Sequence, residues 1–583
     1  MAFLTVFTLL SLFFGFEVHA VPYDYSYTLG CVAKPKPPQY YGGIAVNSEF
    51  DDGLTGWAAV GNAAIATAKS PCGNSYAVVS GIRTPRSDGI SQAFNVDRDI
   101  LYTVSAWFQV SVGEAAVQVK IVTSAGNRTA NWITAKAGCW TMLKGGFHVK
   151  VTEAAELHFE TNSTGFDMWV DSISVQPFMQ EEWTRHQALS LEKVRKGKVR
   201  FEVVDSLENP VADAAVLIKQ HEPHFPFGCN MNRLILDSQA YQRWFLEKRF
   251  KYSVFENELK WLYTEKTQGV VNYTVPDAML AFAKKHRIAL RGHTILWEAR
   301  KFQPEWQKKL SPDELREAVL KRVKSVATKY KGQFIDWDVI NENMHYALYS
   351  NVTNNGIDVF RLLRQLDPRP IPFLNEFNVI EDCSIQSKAN TWQYLQKIDQ
   401  LRKGGYGGPL GIGLQGHFQL EPNFPFIRAS IDMLHATGSP IWITEFDVNI
   451  QSMPWMVRYV EPLLHELHSH PYVNGIIIWG AVWPNMSCFR MCLTDDDYNN
   501  LPAGDAVDKF MSEFIRVPDT NMKTDRNGAF EASLFHGEYE ASITLPDGAQ
   551  PPTPHSFNLK PHGDVPVIKF KTRGGKTSLF NRL

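Results

Sequence analysis

Short alternating runs of apolar and polar residues fill the chain from about residue 41 to residue 178. Segments rich in Gly, Asn and Ser separate these runs, which include YTVSAWFQV (102–110), AVQVKIVTS (116–124), AELHFETN (155–162) and FDMWVDSISV (166–175). Alternation with a period of two residues, interrupted at this spacing, is typical of antiparallel strands. We therefore expect residues 41–178 to form an antiparallel β-sandwich without a helix of useful length.

The pattern changes near residue 225, where apolar strand-like runs begin to alternate with amphipathic stretches such as 277–286 and 312–330. Eight such runs can be counted: 227–231, 251–258, 288–293, 335–342, 371–376, 410–417, 441–445 and 475–480. Strand–helix alternation predicts a parallel sheet, and eight units of this length predict a TIM (β/α)8 barrel over residues 225–516. An open doubly wound sheet is the alternative, but it rarely reaches eight units and the chain lacks a glycine-rich phosphate loop.

The remaining segments connect these two parts or follow them. Residues 21–40 are rich in proline and are interpreted as a linker. Residues 179–224 predict a helical connector followed by a β-hairpin over 198–220. Residues 517–583 predict a short β appendix, whose pairing with that hairpin is left open, from the runs 530–535, 538–545 and 565–572.

The first 20 residues are typical of a secretory signal peptide. An apolar run without charge before Glu17 is followed by the small-x-small pattern Val18-His19-Ala20, which predicts cleavage after Ala20. An uncleaved anchor is the alternative. We expect a secreted protein of the extracellular space or cell wall, with no membrane segment after cleavage.

Asparagine and cysteine positions fit export. Five Asn-x-Ser/Thr motifs are candidate glycosylation sites: Asn127, Asn162, Asn272, Asn351 and Asn485. Seven cysteines are too few to build a disulfide-dependent fold. We expect Cys488 and Cys492 to form a bridge, and Cys229, at the end of an apolar strand, to be a buried thiol.

Charge and histidine spacing exclude several function classes. The 583-residue chain carries 59 Lys and Arg against 61 Asp and Glu, which argues against a nucleic-acid partner held by phosphate neutralisation. No Cys or His pairs have zinc-site spacing, and His465, His468 and His470 are interpreted as a solvated helix end. We therefore expect neither a metal nor a cofactor.

Polar residues follow almost every predicted barrel strand at its carboxyl end, where TIM barrels carry their active sites. A ring of amides and carboxylates with an aromatic residue at its edge suits a ligand rich in hydroxyl groups. Glu342 and Glu445 end the fourth and seventh strands, across the barrel mouth from each other. Glycosidic bond cleavage needs two such carboxyls. For either glutamate alone, a structural ion pair is the alternative.

Six motifs at successive strand ends resemble the retaining xylanases of glycoside hydrolase family 10: FENELKW (255–261), RGHTILWE (291–298), WDVINEN (337–343), FLNEFN (373–378), GLQGHF (413–418) and ITEFDV (443–448). The resemblance covers roughly 180–516, and the segment 490–510 is similar to the plant branch. Upstream, the segments 42–63, 138–147 and 168–178 resemble carbohydrate-binding module family 22. Together they imply a monomeric endo-1,4-β-xylanase acting on xylan or arabinoxylan.

The resemblance also implies residue roles. Glu342 would be the acid/base and Glu445 the nucleophile of a double displacement with retention, the two carboxyls about 5–5.5 Å apart. Asn375 and Asp447 would support them. Substrate binding would fall to Glu256, Asn257, Lys260, His293, Trp297, Asn341, Gln415, His417 and Trp479.

Three departures from the family pattern predict altered subsites. Glu298 follows Trp297 where microbial members often have a histidine, and Glu376 replaces the usual aspartate. Ser487 stands where a second tryptophan is usual. In the predicted sandwich most tryptophans are expected in the core, while the candidate sugar-binding groups are Arg83, Tyr102, Trp107 and Glu160.

Two other functions remain open. A transglycosylase would use the same two glutamates but resolve the covalent intermediate with a sugar hydroxyl instead of water. A non-catalytic xylan-binding protein of the cell wall would keep the barrel as a lectin. Against the second alternative, close unpaired carboxylates are costly to keep in a site that only binds.

Overall fold

The computed structural model describes residues 21–248, 250–450, 453–482, 491–545 and 553–572. Four features expected from the sequence therefore lie outside the described residues: the signal peptide, Asn485, Ser487 and Cys488. Within the described part of the chain, no helix combines the length and apolar character needed to cross a membrane.

Two antiparallel sheets precede the barrel, and the four quoted apolar runs are confirmed as strands. The first sheet contains, in spatial order, Cys31–Val32, Trp140–His148, Ile100–Val110, Met168–Met179, Ser75–Ser80 and Ala64–Lys69. The second contains Ala58–Val60, Gly89–Val96, Glu153–Thr161, Glu114–Thr123 and Gly126–Lys136. Alternate residues such as Val119, Ile121 and Phe159 are buried in one apolar core that both sheets share.

Eight parallel strands form the barrel, as the count of apolar runs predicted. Barrel strands 1 to 8 are Phe227–Met231, Tyr252–Phe255, Ala289–Arg291, Asp336–Asn341, Ile371–Glu376, Gly411–Leu414, Ile441–Val448 and Val473–Ile478. Strands 1 and 8 pair, and strands 3 and 4 close the ring through backbone hydrogen bonds. Those closing bonds run from Ile335 N to Leu290 O (2.9 Å) and from Gly292 N to Asp336 O (3.0 Å). Short strands Leu296–Trp297 and His417–Phe418 extend the carboxyl ends.

Helices surround the strands. The α-helices of this part are Leu234–Asp237, Gln239–Glu247, Trp261–Thr264, Thr274–Lys285, Pro312–Lys329, Ile357–Leu366, Thr391–Lys403, Phe424–His435, Met453–Ser469 and Pro502–Phe514. Short 3-10 turns cover Gln39–Gly42, Arg300–Phe302, Glu305–Lys309 and Ser350–Val352. Local sequence explains where they begin. Ser311, for example, accepts from the Glu314 backbone N–H while the Glu314 carboxylate accepts from Ser311 N, a reciprocal cap.

The proline-rich segment 21–40, expected to be a linker, packs against the folded parts on both sides. The Tyr23 hydroxyl donates to Asp432 of the barrel at 2.9 Å. A disulfide joins Cys31 to Cys139, 108 residues further on, which cysteine spacing alone did not predict. The segment is ordered because its aromatic side chains bury apolar surface that an extended proline-rich chain can reach.

Buried polar contacts attach the N-terminal sheets to the barrel. Lys144 Nζ lies 2.7 Å from Asp432 Oδ2, and both side chains are almost completely buried. The Trp392 indole N–H donates to Thr134 Oγ1 at 2.9 Å. The helix Phe424–His435 carries Asp432 and is buried on the side facing the sheets as well as on the side facing the barrel. The sheets and the barrel therefore meet through a desolvated interface.

A small β unit completes the chain and corrects one prediction. Strands Lys196–Val204 and Ala215–Pro223 do not form the expected hairpin, because each lies in a different sheet. The first pairs with Ala529–Phe535 and Val567–Lys571, and the second pairs with Thr520–Lys523 and Gly537–Thr544, which His555–Leu559 extends. Alternate apolar residues such as Phe201 and Val216 face each other in a shared core, which favours packing between sheets over pairing. The C-terminal strands do pair with both segments.

The helix end at His465, His468 and His470 is not solvated, contrary to the sequence interpretation. His468 and His470 are both buried. The His468 ring lies 5.6 Å from Phe510 and 6.3 Å from Phe535, measured between ring centroids. The β unit covers this helix end.

Candidate active site

Glu342 and Glu445 lie at the carboxyl ends of barrel strands 4 and 7, as their positions in the sequence predicted. Every other predicted site residue also lies at this end of the barrel, linked to one or both glutamates by the contacts described below: Glu256, Asn257, Lys260, His293, Trp297, Asn341, Asn375, Gln415, His417, Asp447 and Trp479. The structure therefore brings the whole predicted set together.

Glu445 is buried among donors and positive charges. Asn375 Nδ2 donates to its Oε1 at 2.7 Å, and His417 Nε2 lies 3.4 Å from its Oε2. Burial alone would raise the pKa of Glu445. The neighbouring His417, His293 and Lys260 outweigh burial and lower that pKa to about 2. Glu445 is thus an anion throughout the ordinary pH range.

His417 is held by a second carboxylate. Its Nδ1 lies 2.9 Å from Asp447 Oδ1, and Asp447 is fully buried. Burial would lower the pKa of His417, but Asp447 and Glu445 raise it to about 10, so the ring is a cation facing Glu445. The Glu381 carboxylate accepts from the backbone N–H groups of Gly416 and His417, both at 3.0 Å, and positions this turn.

Glu342 has the opposite electrostatic environment. Its backbone N–H donates to Asn375 O at 2.9 Å, and its φ of 61° directs the chain sharply away from strand 4. Burial, together with the negative charges of Glu376 and Glu445, raises the pKa of Glu342 to about 7. This carboxyl can therefore carry a proton near neutral pH, which an anion such as Glu445 cannot do.

A chain of amides connects the two glutamates. Asn375 Nδ2 donates to Asn341 Oδ1 (2.8 Å) as well as to Glu445. Gln415 Nε2 lies 3.4 Å from both Asn341 Oδ1 and Glu342 Oε1. These amides fix the orientation of both carboxyls.

A second cluster of polar side chains extends from barrel strands 1 and 2. Glu256 accepts from Asn230 and Asn257 (both 3.1 Å) and from Asn232 (3.3 Å). Asn257 Oδ1 in turn accepts from Lys260 Nζ at 3.0 Å. Burial raises the pKa of Glu256 and lowers that of Lys260. Asn232 was not singled out from the sequence, because it follows the strand by one residue.

Aromatic side chains border this polar cluster. Lys260 Nζ lies 4.6 Å from the ring centroid of Trp297 and 5.8 Å from that of Trp479. Trp297 stacks on Phe302 (4.3 Å), and Trp479 meets His293 edge to face (5.5 Å). The buried Trp297 indole N–H faces the Glu342 carboxyl, and this interaction opposes the rise in the pKa of Glu342. Flat apolar rings beside a fixed cation suit a sugar ring with several hydroxyls.

A buried ionic network under the site was missed by the sequence analysis. Arg291 binds Asp336 (3.1 Å) and Asp338 (2.8 Å), and the second Asp338 oxygen lies 2.9 Å from His293 Nδ1. Asp338 thereby orients His293 toward the site. The available signal was the occurrence of charged residues inside two barrel strands that are otherwise apolar.

Two of the three departures from the family pattern are structural anchors. Glu298 is buried and accepts from the backbone N–H groups of Tyr349 (2.6 Å) and Ser350 (2.8 Å), so it holds the loop that follows barrel strand 4. Glu376 pairs with His345 Nδ1 at 2.7 Å in the same loop. Both carboxylates therefore act on the loop beside Glu342.

The candidate sugar-binding groups of the N-terminal sheets have different environments. Tyr102 lies in the core, stacked on Phe147 at 4.8 Å. Trp107 is buried but lines a cavity of about 400 Å³ together with residues of the segment 21–40. Glu160 is buried and paired with Lys120 at 2.7 Å on the outer side of the second sheet, and Arg83 is exposed. Of the four, Tyr102 therefore has a structural environment, and the other three stay candidates for ligand contact.

Comparisons with known proteins agree with this geometry. Residues 217–509 match the family model described as "Glycosyl hydrolase family 10", and residues 42–165 match the one described as "Carbohydrate binding domain". Endo-1,4-beta-xylanase 5 of Arabidopsis thaliana is 35% identical over 471 residues, which are 78% of this chain and 81% of that protein. Endo-1,4-beta-xylanase 5-like of the same plant is 36% identical over 470 residues, again 78% and 81% of the two chains. The crystal structure of xylanase 10B from Thermotoga petrophila with xylobiose is 21% identical, covering 50% of this chain and 94% of that one, with a TM-score of 0.44. The chain belongs to glycosyl hydrolase family 10.

Proposed function

We propose that this protein hydrolyses internal β-1,4 bonds of xylan with retention of the anomeric configuration. The observation that carries the proposal is the opposite tuning of two carboxyls at one end of the barrel: the pKa of Glu342 is raised to about 7 and that of Glu445 lowered to about 2. Two carboxyls with separated pKa values are what acid-assisted displacement at a sugar requires.

In the first step, the Glu445 carboxylate attacks the anomeric carbon while Glu342 gives its proton to the departing glycosidic oxygen. This step forms a covalent glycosyl-enzyme and releases the sugar chain beyond the cleaved bond. Asn375 and His417 hold Glu445 in place through its two oxygens. Asn341 would donate to the hydroxyl next to the reacting carbon.

In the second step, ionised Glu342 removes a proton from water, and the resulting oxygen nucleophile attacks the same carbon. The bond to Glu445 breaks, so two inversions give net retention. Glu256, Asn257, Lys260, His293 and Trp297 would bind the sugars on the glycone side, with Trp479 as the stacking surface at the cleaved bond. Gln415 would steady Glu342, and Asp447 would act through His417.

We also propose an N-terminal binding module, export and a monomeric state for the whole chain. The two N-terminal antiparallel sheets would form the sandwich of a family 22 carbohydrate-binding module, and the protein would be a secreted monomer of the cell wall. Exposure of four sequon asparagines supports export and glycosylation: Asn127, Asn162, Asn272 and Asn351. The domain limits expected from the sequence are part of the same proposal.

The transglycosylase alternative shares the first step and differs only in which hydroxyl attacks in the second. The binding-protein alternative conflicts with the electrostatics, because a lectin has no use for one protonated and one ionised carboxyl held by a common amide chain. Activity measurements separate all three functions.

The test follows products of glucuronoxylan and of xylohexaose by proton NMR, with wild type, Glu342→Gln, Glu445→Gln and the exposed control Glu317→Gln. We expect new reducing ends in the β form from wild type and from the control, and losses of at least about a thousandfold in the other two. Products longer than xylohexaose without new reducing ends would instead identify a transglycosylase. Full activity of either site variant would refute the assignment.

Azide distinguishes the two glutamates. With Glu445→Ala and an aryl xylobioside, azide can attack the anomeric carbon directly, so the product is the α-xylobiosyl azide. With Glu342→Ala, the glycosyl-enzyme still forms from this activated substrate, and azide then gives the β-azide. Exchange of these two outcomes would mean that the roles are reversed.

A further inference from the structure

A large cavity lies at the opposite end of the barrel from Glu342 and Glu445. Its volume is about 580 Å³. The end of the helix Gln180–Val194, the segments leading into barrel strands 1 and 8, and the C-terminal β unit line it. Phe225 precedes barrel strand 1, and Tyr472 precedes barrel strand 8, so the cavity opens at the amino ends of the strands.

The cavity wall carries strong positive charge. Asp564 is the single carboxylate among its lining residues, against five cationic side chains, which are Lys193, Arg195, Lys196, Lys198 and Lys560. Two of the three guanidinium nitrogens of Arg195, Nε and Nη2, are occupied, because they donate to backbone carbonyls at 2.6–2.9 Å. Lys196 is bound to Glu192. Lys193, Lys198 and Lys560 form no ion pair within the described part of the chain, so they remain available to an anionic ligand.

Buried imidazoles and apolar side chains form the floor. His468 lies under the cavity wall, is only 1% exposed and is packed against Phe225 and Phe535, so its ring nitrogens are closed off from the cavity. His536 also lines the cavity, is 8% exposed and forms no side-chain hydrogen bond to any described residue. The His536 imidazole is therefore the buried polar group that a ligand in the cavity could reach. Phe225, Phe535 and Leu559 supply the apolar wall around them.

We propose that this cavity binds a uronic acid residue of an acidic polysaccharide. The unpaired lysines at the rim bind the carboxylate, the His536 imidazole exchanges hydrogen bonds with ring hydroxyls, and the apolar wall contacts the C–H face of the sugar. This second carbohydrate site would lie away from the hydrolytic centre, and it does not depend on the hydrolysis proposed above.

Three observations favour a uronic acid over a bare inorganic anion. Phosphate sites commonly use a free guanidinium or helix N-terminal amides, whereas Nε and Nη2 of Arg195 are bonded to backbone carbonyls here. Burial lowers the pKa of His536 to about 4, with His224 and Arg195 adding to the effect. A neutral imidazole donates one hydrogen bond and accepts another, which matches a hydroxyl group. The volume falls within the range of about 300–1,000 Å³ that is usual for organic ligands.

The test is calorimetric titration of the full chain carrying Glu445→Gln, which prevents turnover. The probes are methyl β-D-glucuronide, digalacturonate, methyl β-D-glucoside and inorganic phosphate. We expect one site for a uronate and none for the neutral glucoside. The two uronates distinguish a xylan side chain from a pectin chain as the source of the carboxylate.

Two charge-reversal variants locate the site. Lys198→Glu combined with Lys560→Glu should raise the dissociation constant of the uronate about tenfold, since two attractive contacts become repulsive. The matched control reverses Lys284 and Lys285, two exposed lysines on another barrel helix. Unfolding temperatures check that both proteins are folded. No uronate binding, equal binding of the glucoside or of phosphate, or an equal effect of the control variant would each overturn the proposal.

Discussion

The hydrogen bond and charge that His417 presents to Glu445 should determine the acid limit of activity. In the proposed mechanism Glu445 must be ionised to attack, so activity should be present above its pKa and be lost as pH falls through that value. The structure lowers this pKa from 4.5 to about 2, a difference worth about 3 kcal/mol. Among the groups that lower the pKa of Glu445, His417 has the largest effect, followed by His293 and Lys260.

Two substitutions at His417 separate its two ring nitrogens. Asparagine places an N–H near the position of Nδ1, so His417→Asn keeps the contact to Asp447 and removes the one to Glu445. Glutamine places an N–H near Nε2, so His417→Gln keeps a neutral donor for Glu445. We expect the acid limb of kcat/KM to rise by about two units in the Asn variant and by about one unit in the Gln variant.

The assay is the pH profile of kcat/KM on xylohexaose, whose leaving sugar needs a proton from the acid, between pH 3 and pH 9. Wild type should show no acid limb in this range, and the Asn variant should show one near pH 4. The alkaline limb belongs to Glu342, which must be protonated, and should stay near pH 7 in all three proteins. Lys260→Met, which leaves the His417 contact intact, is the control for a more distant charge. If the acid limb of the Asn variant coincides with that of wild type, His417 does not tune Glu445.

Three further predictions concern stability. Because the pKa of Glu342 is raised to about 7 in the folded protein, protonation of this carboxyl stabilises the fold below pH 4.5, and that contribution is lost as pH rises through 7. Glu342→Gln should therefore leave the free energy of urea unfolding unchanged at pH 4 and raise it by up to about 3 kcal/mol at pH 8; a gain at both pH values would contradict this. Lys144→Met leaves the buried Asp432 without its cationic partner, although the Tyr23 hydroxyl still donates to it, and should cost about 3 kcal/mol. The double variant with Asp432→Asn, which removes the charge and keeps an acceptor for Tyr23, should restore part of that loss in thermal unfolding. Cys31→Ser should cost about 4 kcal/mol, because the disulfide closes a loop of 108 residues, and Cys139→Ser should cost the same; unequal costs would mean that something other than the shared cross-link is responsible.

Local patterns predicted the barrel and its site because both depend on information that neighbouring residues carry. An apolar run that ends in polar groups identifies a barrel strand and its functional end at once, as in Asp336–Asn341 followed by Glu342. The parallel order of the strands then brings Glu342 and Glu445 to the same edge. The positions of residues that depend on one neighbouring strand could therefore be predicted from the sequence.

Contacts between distant segments could not be predicted in this way. The pairing of Arg291 with Asp338 depends on which strands close the barrel, and the Cys31–Cys139 disulfide depends on how the segment 21–40 crosses a sheet. His468 was wrongly expected to be solvated because Phe535, 67 residues later in the chain, covers it. Burial of this kind results from tertiary packing, which cannot be inferred from the spacing of apolar and polar residues along the chain.

The desolvated interface around Lys144 and Asp432 has a consequence for how the protein would meet a polymer. Where a module hangs on a flexible linker, the length of the linker sets the effective concentration of substrate at the enzyme. Here a chain held by the N-terminal sheets would reach the barrel at one distance and one angle only. The stiffness and branching of the polysaccharide would then decide which bonds come within reach, and the protein would have to release the polymer to sample others. The lengths of the fragments would therefore reflect the fixed distance between the N-terminal sheets and the barrel.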